Sequence, residues 1–268
     1  MPEGPEAAFI TKTLSSQFKN KKLHSVNILG GRYKNHGPPA NFNEFRKALP
    51  LTLEYVSKKG KVLFFGFTGG WTIVSRLGLT GWWYSPGHAP EWRKPTVNVL
   101  FEFAGKSTLL YSDQLSYGTL TFTKDPSKDL DELAPDIMDS KTTWALFSKR
   151  VAEIVSKYPS MPLEELLVDQ KRLVSGIGNY LKSEIMYASK ISPTRHVLDM
   201  SDIEWKHIFK ESKRISAEMT KALGSKRENA YEDQMAVYGK KQDPYGNEVV
   251  TYKNKAGRTV HWVPSIQK

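Results

Sequence analysis

The chain has 268 residues, a formal net charge of +11 and no cysteine. That length accommodates two ordinary domains, and the missing cysteines exclude disulfides, a thiol nucleophile and Cys-ligated zinc. A hydrophobic share of 39% describes a globular chain without any apolar run long enough to span a membrane. The excess positive charge favours a polyanionic partner, with nucleic acid ahead of an anionic membrane surface because no long basic amphipathic helix is visible.

The chain opens Met1-Pro2-Glu3-Gly4-Pro5-Glu6. With Met1 removed, Pro2 would carry a secondary amine that titrates near pH 8, and so would be a far better nucleophile at working pH than a lysine. Glu3 beside it is a candidate acid or base. The same residues also read as a helix start, where proline and acidic side chains are favoured. The hexapeptide alone leaves both readings open. The N-terminus lacks the apolar core of a signal peptide, so a cytoplasmic, nuclear or viral-factory setting is expected.

Ile10, Leu14 and Phe18 predict one helix with a single buried stripe, and Gly4 in its first turn suggests a close backbone approach to a ligand. From Lys22 the period changes to two. Strands are predicted over 23–29, 51–57, 61–67, 71–77, 97–103, 108–112 and 118–124, separated by glycine-rich turns, which argues for an antiparallel sandwich. The acidic, proline-punctuated stretch 126–140 reads as a linker. Helices are predicted over 144–157, 162–170, 179–188 and 201–223, and the tail from Tyr238 returns to short extended pieces. The expected division is 1–125 for the first helix and sandwich, 141–236 for a helical domain and 237–268 for a terminal hairpin.

Three places could carry chemistry. The stretch Asp169-Gln170-Lys171-Arg172-Leu173-Val174-Ser175-Gly176-Ile177-Gly178-Asn179-Tyr180-Leu181-Lys182 is a double turn leading into a helix. Such a loop can offer N–H groups to a phosphate, with Asn179 adding an amide and Lys171, Arg172 and Lys182 adding charge. An ordinary helix corner is the equal alternative. Lys61, at a turn before an apolar strand, and Arg258, at the tip of the tail hairpin, are candidate phosphate contacts. His261, without cysteines or nearby histidines, reads as structural. Leu79, between Gly78 and Gly81, is a candidate wedge for a base stack, although core packing is the commoner fate of a leucine.

Taken together, these residues resemble the formamidopyrimidine-DNA glycosylase / endonuclease VIII family of base-excision-repair enzymes. The resemblance rests on Pro2-Glu3-Gly4-Pro5-Glu6, Lys61 at its strand start, Leu-Ala-Pro-Asp at 133–136, the Asp169-Gln170 to Leu181 double turn, and Val237-Tyr238-Gly239 before the hairpin. Gly4 and Gly-Asn-Tyr-Leu at 178–181 are similar to the endonuclease VIII branch. The implied fold is α+β: an antiparallel β-sandwich preceded by a catalytic helix, then a helix–two-turn–helix domain with a C-terminal β-hairpin finger.

The resemblance also implies roles. Pro2 would attack the sugar C1′ and form a Schiff base, Glu3 would protonate the opening ring, and Glu6 would support the site from behind. β- and δ-elimination would then cut the strand, and Lys61, Asn179 and Arg258 would hold the flanking phosphates of a flipped nucleotide. Lesions expected are oxidised pyrimidines and hydantoins, in damaged double-stranded DNA, with single-stranded DNA a further candidate. The chain is expected to act as a monomer without cofactor or zinc.

It departs from the family in two places. No cysteines stand in the finger, so Tyr252, Val260 and Trp262 are expected to supply the packing that zinc provides elsewhere. The loop Asp113-Gln114-Leu115-Ser116-Tyr117-Gly118 lacks the usual arginine, leaving Leu79 and Tyr117 as the void-filling pair and predicting a relaxed preference for the opposite base. Two other readings remain: a catalytically inactive nucleic-acid binder of the same fold, and a small-molecule Schiff-base enzyme that the basic charge disfavours.

Overall fold

Ile10, Leu14 and Phe18 recur at four-residue spacing, and all three are buried on one face of helix α1 (Gly4–Phe18). A computed structural model of the chain describes residues 2–88, 96–225, 227 and 229–268. It contains two compact units, Pro2 with Glu6–Glu132, and Glu3–Pro5 with Leu133–Lys268.

Among the described residues of the first unit, eight strands follow α1: β1 (Lys22–Ile28), β2 (Leu51–Lys59), β3 (Val62–Phe67), β4 (Trp71–Arg76), β5 (Trp82–Tyr84), β6 (Val99–Phe103), β7 (Ser107–Ser112) and β8 (Thr119–Thr123). Two short helices, α2 (Arg32–Asn35) and α3 (Phe42–Lys47), lie between β1 and β2. The strand order is β5-β7-β6-β1-β2-β3-β4-β8, with every paired neighbour antiparallel. The β1–β2 junction is held by only two residue pairs, Lys22 with Thr52 and Leu23 with Leu51. This narrow hinge lets the sheet fold into the two layers of a sandwich. Trp83 lies between them, with ring centroids 4.5 Å from Phe65 of β3 and 5.1 Å from Phe101 of β6. Burial of such rings is the main stabilising term in a core of this kind.

The second unit begins within the segment expected to be a linker. Helix α4 (Ser127–Asp131) still belongs to the first unit, but the Ala134 N–H donates to the Gln170 carbonyl and the Ile137 N–H to the Ser175 carbonyl. Those bonds fix residues 134–137 on the double turn, so this part of the stretch is packed chain. Helices α5 (Trp144–Lys157), α6 (Leu163–Val168), α7 (Asn179–Ala188) and α8 (Asp202–Leu223) follow. Ser201 and Glu204 form a reciprocal capping box that starts α8. The terminal hairpin, β9 (Val250–Lys253) and β10 (Thr259–Trp262), packs on α7, and buried Val260 joins the helical core. No helix among the described residues is long and apolar enough to cross a membrane.

Candidate active site

The Glu3 carboxylate sits at the N-terminal end of α7. It is 1% exposed and accepts hydrogen bonds from the N–H groups of Gly178 (2.7 Å), Tyr180 (3.0 Å) and Leu181 (3.3 Å). Helix starts leave such donors unsatisfied, and a carboxylate also complements the positive end of the helix dipole. A side chain 175 residues away therefore does what a local cap usually does. Gly178 has the ordinary extended φ of −125°. It is glycine because a Cβ there would meet Glu3 Cδ at 2.2 Å.

This arrangement changes the reading of the double turn as a phosphate cradle. Glu3 takes three of its N–H groups, and Gly176 N–H donates to Gln170 Oε1 at 2.9 Å. Gln170 completes the turn by donating to the carbonyls of Val168 and Ile177, both at 2.8 Å. The flanking cations are also committed. Arg172 pairs with Asp169 and lies over the Tyr158 ring, while Lys182 is fully buried against Glu164 at 3.0 Å. Gly4 has a different cause from the one expected. Its N–H donates to the Gly176 carbonyl at 2.8 Å, and a Cβ would come within 3.0 Å of that oxygen. The close approach is to the chain's own backbone.

Asn179 and Arg258 are brought together by the hairpin. Asn179 Nδ2 donates to the carbonyl of Thr259, the residue after Arg258, at 2.9 Å. That amide carries a second N–H. Arg258 itself is exposed at the tip. His261 packs its ring 4.7 Å from Tyr238, and burial lowers its pKa, reinforced by the charges of Lys182 and Lys253.

In the first unit, Lys61 forms the two-residue turn Gly60-Lys61 between β2 and β3 and is half-buried. Glu6 is buried within α1. Pro2 is buried, and Met1 lies outside the described residues. Leu79 (41% exposed) and Tyr117 (63%) sit on two loops that touch, since a Cβ on Gly78 would meet the Tyr117 backbone at 2.7 Å. Buried Asp113 ties the loops together. It accepts from the Thr80 hydroxyl and from Gly118 N–H, and Leu115 N–H donates to Thr80 Oγ1. Leu115 on the same tip is 55% exposed. Its signal in the sequence is an apolar residue between Gln114 and Ser116 in a turn, a pattern that marks an exposed tip. The stretch Ser225–Gln234, where the family resemblance implies a base-reading loop, includes Lys226 and Glu228, which lie outside the described residues.

Of the three residues expected to pack the hairpin, Val260 and Tyr252 join the helical core and Trp262 is half-buried. Val237, Val249 and Val263 form a separate small cluster. Asp243 organises the neighbouring turn, accepting from Tyr245 N–H (2.9 Å), Asn247 N–H (2.8 Å), Asn247 Nδ2 (2.9 Å) and the Tyr187 hydroxyl (2.9 Å).

Residues 1–120 match the formamidopyrimidine-DNA glycosylase N-terminal domain and residues 227–268 match the C-terminal domain of the same family. A formamidopyrimidine-DNA glycosylase of Streptococcus agalactiae serotype III is 32% identical over 221 residues, covering 80% of this chain and 76% of the relative. The chain belongs to the formamidopyrimidine-DNA glycosylase family. A second glycosylase of the family, from Listeria monocytogenes serotype 4b, is 29% identical with both chains fully covered. Among solved structures, the Lactococcus lactis formamidopyrimidine-DNA glycosylase bound to DNA containing an abasic site superimposes with a TM-score of 0.82, at 23% identity and 99% coverage of each chain. A complex of MutM with DNA carrying carbocyclic 8-oxo-G gives 0.82 at 22% identity, with both chains fully covered. At these identities the likeness establishes the glycosylase fold.

Proposed function

We propose that this chain is a DNA-repair glycosylase that removes oxidised bases from damaged DNA and then cuts the strand as an abasic-site lyase. The observation that carries the proposal is the Glu3 carboxylate, buried on three backbone N–H groups and directly following Pro2 in the chain. The cap on α7 alone would serve a protein that only bound nucleic acid, but such a protein would have no use for a secondary amine at Pro2, next to that acid in the chain.

The chemistry follows from those groups. The neutral Pro2 nitrogen attacks C1′ of the flipped nucleotide, and the bond from C1′ to the base breaks. The base leaves with a proton taken from water, and the Glu3 carboxylate takes the Pro2 N–H proton and delivers it to the ring oxygen as the C1′–O4′ bond opens. A secondary amine cannot give a neutral imine, so the product is an iminium cation. That cation draws electrons from C2′, whose proton leaves as the 3′ C–O bond breaks, and a second elimination breaks the 5′ C–O bond. Water then releases Pro2. Lys61, Asn179 and Arg258 hold the flanking phosphates, and Leu79 and Tyr117 fill the space left by the extruded base.

Within the family we assign the chain to the endonuclease VIII-like branch with a zincless finger. That assignment favours oxidised pyrimidines and hydantoins over 8-oxoguanine. Single-turnover excision measured side by side on duplexes carrying each lesion tests it. Faster excision of the pyrimidine and hydantoin lesions is expected, and a preference for 8-oxoguanine would overturn the branch assignment. No excision of any lesion would overturn the glycosylase reading.

A further inference from the structure

The hairpin tip that carries Arg258 is held from both sides by the helical part of its own unit. On one side Asn179, at the start of α7, bonds the Thr259 carbonyl. On the other side the Asn254 side chain is shared between two tasks. Its Oδ1 accepts from the N–H groups of Ala256 (3.1 Å) and Arg258 (2.9 Å), which shapes the tip. Its Nδ2 donates to Glu164 Oε2 at 3.0 Å. The same carboxylate oxygen accepts from Lys182 Nζ, also at 3.0 Å. Glu164 is 4% exposed and Lys182 is 0% exposed.

We propose that Glu164 and Asn254 are positioning residues that aim Arg258 at a backbone phosphate, with Lys182 as the buried counter-charge that keeps Glu164 in place. The Arg258 guanidinium has no hydrogen bond or ion pair among the described residues, so the protein sets its direction only through the backbone of the tip. A long, flexible side chain binds phosphate more tightly when its base is fixed beforehand. Burying a Lys–Glu pair is costly unless its remaining hydrogen-bonding capacity is used, and Asn254 uses it. Burial presses the Lys182 pKa down, the Glu164 charge opposes that, and Arg258 is close enough to add to the lowering. The proposal rests on reading Arg258 as a phosphate contact.

The test is binding of the full-length protein to a duplex containing a tetrahydrofuran abasic-site analogue, measured across a salt series. Asn254→Asp keeps the acceptor that shapes the tip but loses the donor to Glu164. It is expected to weaken binding about tenfold and to reduce the salt slope by about one. In that background Arg258→Ala should cost less than about twofold, because the two changes remove one interaction. Exchanging the donor and acceptor in Glu164→Gln/Asn254→Asp should return binding to within about threefold of the wild type, an effect that general loosening of the hairpin cannot produce. If Asn254→Ala and Asn254→Asp bind like the wild type, or the Arg258→Ala loss is fully additive, the tether is overturned while the phosphate contact stands. If Arg258→Ala alone leaves affinity and salt slope unchanged, the phosphate contact is wrong and the tether falls with it.

Discussion

Glu3 and Gly178 fit one another: the Glu3 carboxylate accepts the Gly178 N–H at 2.7 Å and occupies the space in which a side chain at 178 would lie. Gly178→Ala should therefore expel the carboxylate without straining the backbone. Charge-assisted hydrogen bonds contribute roughly 1.5–3 kcal/mol each, so a fall of several degrees in Tm is expected. Misplacing the acid should lower single-turnover base excision by on the order of 100-fold. Excision within a few-fold of wild type, measured on the folded variant, would show that the position of Glu3 is not critical.

The void-filling role proposed for the two loop tips predicts weak discrimination of the opposite base. Leu79, Leu115 and Tyr117 are all exposed, and none carries a charged donor to read a Watson–Crick edge. Excision rates opposite A, C, G and T should lie within about threefold of one another, since apolar contacts alone give little selectivity. Leu115→Arg should widen that spread by supplying a donor. A strong preference in the wild type, left unchanged by Leu115→Arg, would show that another element reads the orphaned base.

Asp243 predicts a pH signature in the finger. Burial acts to raise its pKa, but hydrogen bonds from Asn247, Tyr187 and Tyr245 outweigh burial and hold it below the ordinary value of 3.8. A carboxyl with a depressed folded-state pKa stabilises the fold above the ordinary value, and that contribution disappears as pH falls through the folded-state value. Asp243→Asn should lower Tm by a constant amount between about pH 5 and 8, and the gap should narrow below about pH 4. A gap that stays constant down to pH 3 would contradict this account.

The strands and long helices were legible because their residues repeat. Val99, Phe101 and Phe103 alternate into the sandwich, and α5 and α7 begin and end where their helical patterns do. Strand β5 was not legible, because Trp82, Trp83 and Tyr84 are all buried and show no alternation. Helices α2 and α3 are too short for a period to register. At the site, residue identity suggested Glu3, Asn179 and Arg258. The partners of Glu3, however, are about 175 positions away in the chain, and no local pattern encodes that distance. Lys182 misled for the same reason. Its charge reads as a surface cation until the fold buries it against Glu164.

The central claim, that Pro2 is the nucleophile, is tested most directly by borohydride trapping on an oligonucleotide containing an abasic site, using protein whose N-terminal residue has been determined by mass spectrometry. The wild type with Pro2 exposed should give a covalent complex that Pro2→Gly gives weakly and an N-terminally extended form does not give. No complex with the wild type, or equal trapping by all three proteins, would contradict the account.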